Sequence, residues 1–253
     1  MRIDVALLPG QEFENSRSIC IVVDVLRASS SIVTLLECGA RPVVAAGSIE
    51  EARSLHQRLP SYLLCGERGG FPPEGFDYGN SPAEFSGLEL EGKSAILATS
   101  NGTRLLAMLA GAPAVLVGCL LNSAAVAEAA VQIASERALD IAVLCSAAYG
   151  GSKFVLEDAL GAGAIVDAAL SADASLNASD AARFAWDAFL TARRHMDGTV
   201  ASSSHARELM EGGFADDVTH CAQVDVSQIV PVLERGDDGA LLLLPYAHDT
   251  QRS

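Results

Sequence analysis

Residues Ser18–Leu26 read SICIVVDVL, a nearly continuous apolar stretch that is rich in β-branched residues. Such a stretch is typical of a strand that is buried on both faces, as in a parallel sheet. A helix is predicted directly after it, over Ser29–Gly39, and ends at the glycine. Asp24 interrupts the apolar pattern, and a buried carboxylate needs a partner or a metal. The stretch therefore predicts a buried strand with a polar site at its end.

The alternation of strand and helix continues on the C-terminal side of this unit. Each further strand is short and apolar, and most are followed by a stretch with helical character. Repeated units of this kind favour a parallel or mostly parallel sheet with helices on both faces. The predicted fold class is therefore α/β, with three layers in the order α/β/α. The further strands are predicted at Pro42–Ala46, Ser61–Cys65, Lys93–Thr99, Ala114–Gly118 and Asp140–Cys145.

The last third of the chain, residues 178–253, is predicted to be rich in helix and to belong to the same unit as the rest. We therefore expect residues 1–253 to form a single α/β domain. Two apolar segments near the end favour a closing hairpin through Gly236–Gly239. The predicted helices are Ser179–His195, Ser203–Glu211 and Phe214–Ala222, and the hairpin strands are Ile229–Leu233 and Ala240–Pro245.

Composition restricts the partners and the compartment. The net charge of −15 repels nucleic acid and anionic membranes, and an anionic ligand would need local cations or a metal. The six cysteines form no C-x-x-C pair, so we expect reduced, buried thiols in a cytoplasmic protein. The stretch MRIDVALLPGQ lacks the pattern of a secretory signal, and no apolar run approaches the ~20 residues that span a bilayer. Whether the chain forms a homo-oligomer stays open.

Side chains that can bind an anion or a metal follow five of the predicted strands. The carboxyl ends of strands are where open α/β sheets bind ligands. The long segment 66–92 lies among them, and its length together with its aromatic residues indicates a functional loop. The candidate catalytic residues are Asp24, Arg27, Glu67, Arg68, Glu157 and Asp158. The candidate substrate-binding residues are Ser29, Ser100, Asn101, Gly102, Thr103, Arg104, Asn122 and Lys153.

Each of these motifs has an ordinary structural explanation when it is taken alone. Asn122 has the residue type of a helix cap, and acids such as Glu157 are common in the first turn of a helix. Together, the acids, arginines and hydroxyls indicate an anion site beside a hard-metal site. Carboxylate oxygens from Asp24 and Glu67 suit Mg²⁺, which binds one or two carboxylates together with substrate oxygens.

Several common phosphatase and hydrolase motifs are absent from the sequence. No D-x-D follows the strand that ends at Asp24, no arginine stands five residues after Cys145, and no G-x-S-x-G elbow occurs. Of the five histidines, only His205 and His220 lie near polar helix starts, and both are predicted to be structural.

These motifs, in this order, resemble the 2-phosphosulfolactate phosphatases of coenzyme M biosynthesis. The similarity extends over nearly the whole chain and depends on the combination of the motifs. We expect more glycine after Cys145, where Ser146-Ala147-Ala148 stands, and glycine in place of Ala206. The similar segments are DVLRAS at 24–29, GER at 66–68, GFDYGNSP at 75–82, TSNGT at 99–103, EDALGAG at 157–163 and the segment 213–221.

The resemblance implies a specific activity and fold, and the residues themselves suggest a hypothesis for the roles. It implies Mg²⁺-dependent hydrolysis of (2R)-O-phospho-3-sulfolactate to sulfolactate and phosphate, on an α/β fold unlike the common phosphatase folds. The small, highly anionic phosphate ester would be held by the arginines, and Glu157 or Asp158 would act as the general base. A covalent route through Cys145 stays open, as do another phosphorylated hydroxy acid as substrate, a carbon–oxygen lyase or isomerase, and a non-catalytic sensor of an anionic metabolite.

Overall fold

One ten-stranded sheet organises the part of the chain that the computed structural model describes, which is residues 1–9, 15–109, 111–148 and 150–247. The strands are β1 (Arg2–Ala6), β2 (Ser18–Val23), β3 (Val43–Ala46), β4 (Leu63–Gly66), β5 (Ala95–Ala98), β6 (Ala114–Gly118), β7 (Asp140–Cys145), β8 (Asn177–Ala178), β9 (Pro231–Arg235) and β10 (Leu241–Pro245). The helices are α1 (Ala28–Glu37), α2 (Ile49–Arg58), α3 (Pro82–Phe85), α4 (Gly102–Leu109), α5 (Ser123–Arg137), α6 (Leu156–Ala172), α7 (Asp180–Ala192), α8 (Met196–Ala201), α9 (Ser204–Glu211) and α10 (Ala215–Cys221).

The strand order is β4-β5-β3-β10-β9-β6-β2-β7-β1-β8. Six of the pairings are parallel, and the three antiparallel pairings all involve β9 or β10. The α/β class, the mostly parallel sheet and the closing hairpin are confirmed. The sequence pattern did not predict β1, because its five residues carry two charges, Arg2 and Asp4, within a short apolar stretch.

The hairpin β9–β10 joins two parallel blocks, β4-β5-β3 and β6-β2-β7-β1, that run in opposite directions within the sheet. In a flat sheet, the carboxyl ends of the two blocks would lie at opposite edges. Sheet twist accumulates at about 20–25° per strand pair, which is roughly 100–125° over the five steps between β2 and β5. Helix α4 contacts both β2 and β3, so the sheet curves around it. The twist and the curvature together bring the carboxyl ends of the two blocks toward each other.

Helices cover both faces of the sheet. Helices α5, α6 and α7 pack on β6, β2, β7 and β1, and they form the largest hydrophobic cluster. Helices α1 and α4 lie on the opposite, concave face, and α2 covers β3, β4 and β5 from outside. Because β2 has helices on both faces, all six of its residues are buried, as its apolar composition predicts.

The two interfaces of β2 explain why its neighbours are small. A Cβ on Gly118 or on Gly161 would lie 2.8 Å or 2.7 Å from a packed aliphatic carbon, so glycine lets the helix layer approach the sheet closely.

All six cysteines are free, and five of them are buried. Among the described residues, no helix combines the length and the apolar composition that crossing a bilayer would require.

Candidate functional site

A cavity of about 420 Å³ lies where the ends of β2, β4, β5 and β7 meet. The first turns of α1 and α4 are in direct contact there, since a Cβ on Gly102 would lie 2.6 Å from the Ala28 Cβ and 2.8 Å from Asp24 Oδ2. Helix α9 and the loop between α9 and α10 complete the wall. Its charged residues are Asp24, Arg27, Glu67, His205 and Glu208, and its uncharged polar residues include Asn80, Thr99, Ser100 and Asn101.

Two buried carboxylates stand behind the end of β2. Asp24 Oδ1 accepts a hydrogen bond of 3.1 Å from the Ala28 amide. Asp158 accepts from the amides of Val25 and Ala147 at 2.9 and 3.1 Å and from the Ser146 hydroxyl at 3.3 Å. Burial raises the pKa of both carboxyls, and the charge of Asp24 raises the pKa of Asp158 further. Asp158 thereby connects the β2 loop to the β7 loop, whereas Asp24 lines the cavity.

A second buried carboxylate on α6 reaches the cavity through a histidine. Glu157 has no exposed surface, and its Oε1 lies 2.9 Å from Nδ1 of His205. The His205 side chain is 25% exposed and lines the cavity. Burial lowers the pKa of His205, but the hydrogen bond and the charge of Glu157 raise it more, so the net shift is upward. The pair therefore places on the cavity wall an imidazole that keeps its proton more readily than a free histidine does.

Arg27 is held rigidly at the start of α1. Its Nη1 lies 2.6 Å from Asp217 Oδ2, its Nη2 donates to the Gly70 carbonyl at 2.8 Å, and its guanidinium lies 4.3 Å from the centre of the Phe214 ring. Asp217 is itself fixed, because its other oxygen accepts from the Ser81 hydroxyl at 2.6 Å. Both charged side chains are almost fully buried, so the guanidinium presents a fixed orientation to the cavity.

Glu67 enters the cavity from the loop after β4. Its Oε2 accepts from the Gly70 amide at 2.9 Å, and its Oε1 accepts from the Ser100 amide at 2.7 Å. The carboxylate therefore fixes the loop after β5 against the loop after β4. Asn101 extends the contact, since its Oδ1 accepts from the Gly150 amide at 2.8 Å.

Three predicted cationic residues lie outside the main cavity. Arg68 points to the surface and pairs with Glu50 at 2.9 Å, and both side chains are about 70% exposed. Lys153 lies on the rim, 3.9 Å from Glu208. Arg104 lines a smaller neighbouring cavity of about 50 Å³, which shares Ser100 and Asn101 with the main one. The structure therefore brings Arg27 into the main cavity and leaves these three cations around it.

Three other predicted substrate-binding residues do not line the cavity, because their side chains serve the backbone. Ser29 accepts from the Asp24 amide at 3.0 Å, and Thr103 donates to the Thr99 carbonyl at 3.1 Å. Asn122 accepts from the Cys119 amide at 2.9 Å and donates to the Ile229 carbonyl at 2.8 Å. Each residue shapes a strand end and stays buried.

Comparison with known proteins agrees with this geometry. A family model described as 2-phosphosulpholactate phosphatase matches residues 5–236. The chain belongs to that family. The resemblance inferred from the sequence is confirmed, and so is the predicted class, because phosphatases of this kind are phosphoric monoester hydrolases.

Several relatives of the family align over most of their length. A probable 2-phosphosulfolactate phosphatase of Pseudothermotoga lettingae is 40% identical over 231 residues, which is 91% of this chain and 95% of the relative. A protein of the same description from Deinococcus radiodurans is 37% identical over 252 residues, covering 96% and 99% of the two chains. A third, from Carboxydothermus hydrogenoformans, is 36% identical over 231 residues, covering 91% and 92%.

The carboxylate oxygens in this phosphatase-family site suit a hard cation that takes only some of its ligands from the protein and the rest from water and substrate. Asp24 and Glu67 both line the cavity, and the charge of Glu67 contributes to the raised pKa of Asp24 after burial does. Within the described ranges, no three side chains of His, Cys, Asp or Glu are grouped closely enough to hold a metal by themselves. Mg²⁺ commonly binds one or two carboxylates and completes its shell with water and phosphate oxygens, so this pair suits it.

The sequence did not identify every residue of the site. His205 is predicted to be structural, yet it lines the cavity and pairs with Glu157. Asp217 and Phe214 lie in the segment 213–221 of the family resemblance, but the sequence gives them no role. A buried acid needs a cation, and that requirement at Asp217 is the signal that could have linked it to Arg27.

The backbone of the loop after β7 shows why glycine is expected just after Cys145. Ala147 has φ of +56°, in the left-handed region that glycine adopts most readily. Its amide donates to Asp158, so the strained backbone serves the carboxylate cluster.

Cys145 is buried and is not part of the cavity wall, and burial raises the pKa of its thiol. These features argue against the covalent route through Cys145, since a nucleophilic cysteine needs an exposed thiolate.

Proposed function

We propose that the chain hydrolyses the phosphate monoester of a small anionic hydroxy acid, most specifically (2R)-O-phospho-3-sulfolactate, in an Mg²⁺-dependent reaction. The observation that carries the proposal is a cavity of the phosphatase family in which Asp24 and Glu67 face Arg27 and His205. Anion binding alone requires cations. Two carboxylates on the same wall would weaken it, so their presence favours a metal-assisted reaction over a sensor.

The charge of the substrate sets the first requirement of the site. A phosphate, a carboxylate and a sulfonate together carry about four negative charges near neutral pH. The chain carries −15, so attraction must come from local groups. Arg27 supplies a fixed cation, and two of its five N–H donors are used by Asp217 and Gly70. The remaining donors are available to a phosphoryl or carboxylate oxygen, and the charge on His205 adds to them.

In this proposal, Asp24 and Glu67 hold the Mg²⁺ ion. The bound ion would offset the charge on the phosphoryl oxygens during in-line attack by water. Glu67 reaches its position because the amides of Gly70 and Ser100 hold its two oxygens. Phe71 and Phe214, whose ring centroids lie 5.5 Å apart, form an apolar part of the wall. An apolar surface beside the bound ester would strengthen the charge interactions inside the cavity.

Glu157 and Asp158 do not line the cavity, so we assign neither of them the part of the attacking base. Asp158 is engaged by two backbone amides and a hydroxyl, and Glu157 reaches the cavity only through His205.

We place the reaction in the cytoplasm, because six free thiols suit a reducing compartment.

The test is phosphate release from a panel of esters, assayed with Mg²⁺, with EDTA, and with Mg²⁺ restored after EDTA. We expect fastest turnover on 2-phosphosulfolactate and loss of at least about a hundredfold in EDTA that Mg²⁺ reverses. Asp24→Asn should lose a similar factor, while Asp187→Asn, which changes an exposed carboxylate outside the cavity wall, should behave as wild type.

Each part of the proposal can fail separately. Full activity in EDTA would remove the metal. Faster turnover of another phosphorylated hydroxy acid would change the substrate and leave the reaction class intact. An unsaturated product would indicate a lyase, and binding of the ester without any release of phosphate would indicate a sensor.

A further inference from the structure

The position of His205 is determined by elements on both sides of the cavity. Helix α9 begins one residue before it, and the Ser203 hydroxyl caps that helix by accepting from the Ala206 amide at 3.0 Å. The imidazole turns toward α6, where its Nδ1 meets Glu157 Oε1 at 2.9 Å. This contact fixes the ring and leaves Nε2 as the nitrogen that a ligand in the cavity can reach.

The environment of Glu157 is unfavourable for a carboxylate, which argues against a purely structural role. Its side chain is completely buried, and its Oε2 has no hydrogen-bond partner. A buried carboxylate with an unsatisfied oxygen is destabilising unless a cation stands next to it. The adjacent cation is His205 in its protonated form, so the two residues stabilise each other's charge.

The charged groups that face His205 come from three elements, and all of them are acids. Glu157 lies on α6, Asp24 follows β2, and Glu208 lies on the same helix as the histidine. Burial lowers the pKa of His205; in the protein without a bound ion, Glu157 raises it most, followed by Asp24 and Glu208, and the net shift is upward. The imidazole therefore holds a proton at a pH where a free histidine would begin to lose it.

We propose that His205 is the general acid of the reaction and gives its Nε2 proton to the ester oxygen of the leaving alcohol, with Glu157 as its positioning residue. The inference rests on the proposed function, because it assigns the proton that this hydrolysis requires. A secondary alcohol is a poor leaving group as an alkoxide, so proton donation lowers the barrier substantially.

The step balances without any further reactant. The oxygen of a water molecule forms a bond to phosphorus, and the bond between phosphorus and the ester oxygen breaks. The electron pair of that bond stays on the ester oxygen, which takes the proton from His205. One proton of the water remains on the phosphate product, and the other returns to the imidazole through solvent.

The first test varies the leaving group in two enzymes that differ at one residue. His205→Gln should lose about 10²–10⁴-fold in kcat on 2-phosphosulfolactate, which releases an alcohol of high pKa. On 4-nitrophenyl phosphate, whose leaving group departs without a proton, it should lose less than about fivefold. His195→Gln, a change at an exposed histidine, is the matched control. Equal losses on both substrates would overturn the assignment, since a purely structural defect does not depend on the leaving group.

The second test follows the proton directly. In metal-free wild type, the NMR titration of His205, assigned by comparison with His205→Gln, should report a pKa above 6.5, and the descending limb of the kcat/KM–pH profile should report the pKa of the same group with Mg²⁺ present. Glu157→Gln keeps the shape of the pair and removes its charge, so both values should fall together. A His205 that titrates at or below its ordinary value in wild type would overturn the proposal.

The two proposals fail in different ways. Wild type that releases phosphate while His205→Gln remains equally active supports hydrolysis and removes the general acid. Wild type that releases no phosphate from any ester, with Mg²⁺ present, removes the proposed function and the general acid with it. A raised NMR pKa in that inactive protein would leave the Glu157–His205 pair as a structural ion pair only.

Discussion

The region in and around the cavity has two halves that carry similar residue types in different environments. The half at the ends of β2 and β7 is buried: Asp24, Arg27 and Asp158 are each at most 6% exposed, and backbone amides or buried acids hold them. The half at the ends of β4 and β5 is open, and Arg68 makes a surface ion pair with Glu50. The comparison shows that a residue type such as arginine, placed after a strand, is held in one orientation only where other parts of the chain bury it.

Arg27 against Arg68 should give the largest contrast between the halves. Arg27→Met is expected to destabilise the protein by about 3–5 kcal/mol, because Asp217 would be left as an unpaired buried charge. Arg68→Met removes an exposed ion pair and should change the free energy of unfolding by no more than about 0.5 kcal/mol. Urea unfolding measures both. Similar losses in the two variants would abolish the distinction between the halves.

Asp158 tests whether the buried half depends on its hydrogen bonds. Asp158→Ala leaves the amides of Val25 and Ala147 without an acceptor, so we expect a cost of about 2–4 kcal/mol in unfolding free energy. The loop after β7 should also loosen, which hydrogen exchange at Ala147 would detect. Unchanged exchange at that amide would mean that the loop holds its shape without the carboxylate.

The Glu157–His205 pair makes the stability of the buried half depend on pH. Because the pKa of His205 is raised in the folded state, its stabilisation is fully present below 6.5, the ordinary value, and is lost as the pH rises through the folded-state pKa. At low pH, His205→Gln should be less stable than wild type by about 1–2 kcal/mol, since it removes the cation that faces the buried Glu157 carboxylate. Urea unfolding of both proteins from about pH 5.5 to about pH 9, a range that brackets the ordinary value, should show the difference shrinking as the pH rises. A difference that is constant with pH would contradict the pairing.

Arg104 should give the smallest effect on stability. It lies on the open half, in the small cavity beside the main one. Arg104→Ala is expected to change the unfolding free energy by less than about 0.5 kcal/mol. If the acid group of the substrate reaches that cavity, KM should rise severalfold with kcat little changed. Steady-state kinetics on 2-phosphosulfolactate measure both constants. An unchanged KM would mean that the substrate binds in the main cavity alone.

Much of the fold follows from residue pattern alone. Five of the strands after β2, together with the hairpin, are predictable because runs such as Asp140–Cys145 are apolar and end at polar turns. Strand β1 is not, because Arg2 and Asp4 leave its pattern ambiguous, and the two residues of β8 carry no pattern at all. Strand β1 forms because β7 offers an edge for pairing, and β8 forms because β1 then offers its own edge, which are long-range conditions that no local window contains.

Candidate residues were predictable by type but not by role. Ser29, Thr103 and Asn122 have the polar side chains that a substrate site needs, yet each binds backbone near its own strand end. Their use depends on whether a neighbouring carbonyl or amide lies within reach, and that is decided by how the loop closes. Arg27 and Arg68 likewise each follow a strand, and only their surroundings separate a buried clamp from a surface pair.

The sequence by itself determined the buried strands, the acids and cations at their ends and the family, because hydrophobic periodicity and motif order are local properties of the chain. The tertiary structure decided which of those ends meet. The reversal of strand direction at β9–β10, with the twist and curvature of the sheet, brings Glu67 to the cavity that Asp24 lines. Packing of α9 against the start of α6 places His205 beside Glu157, 48 residues away in the chain, so that each stabilises the charge of the other.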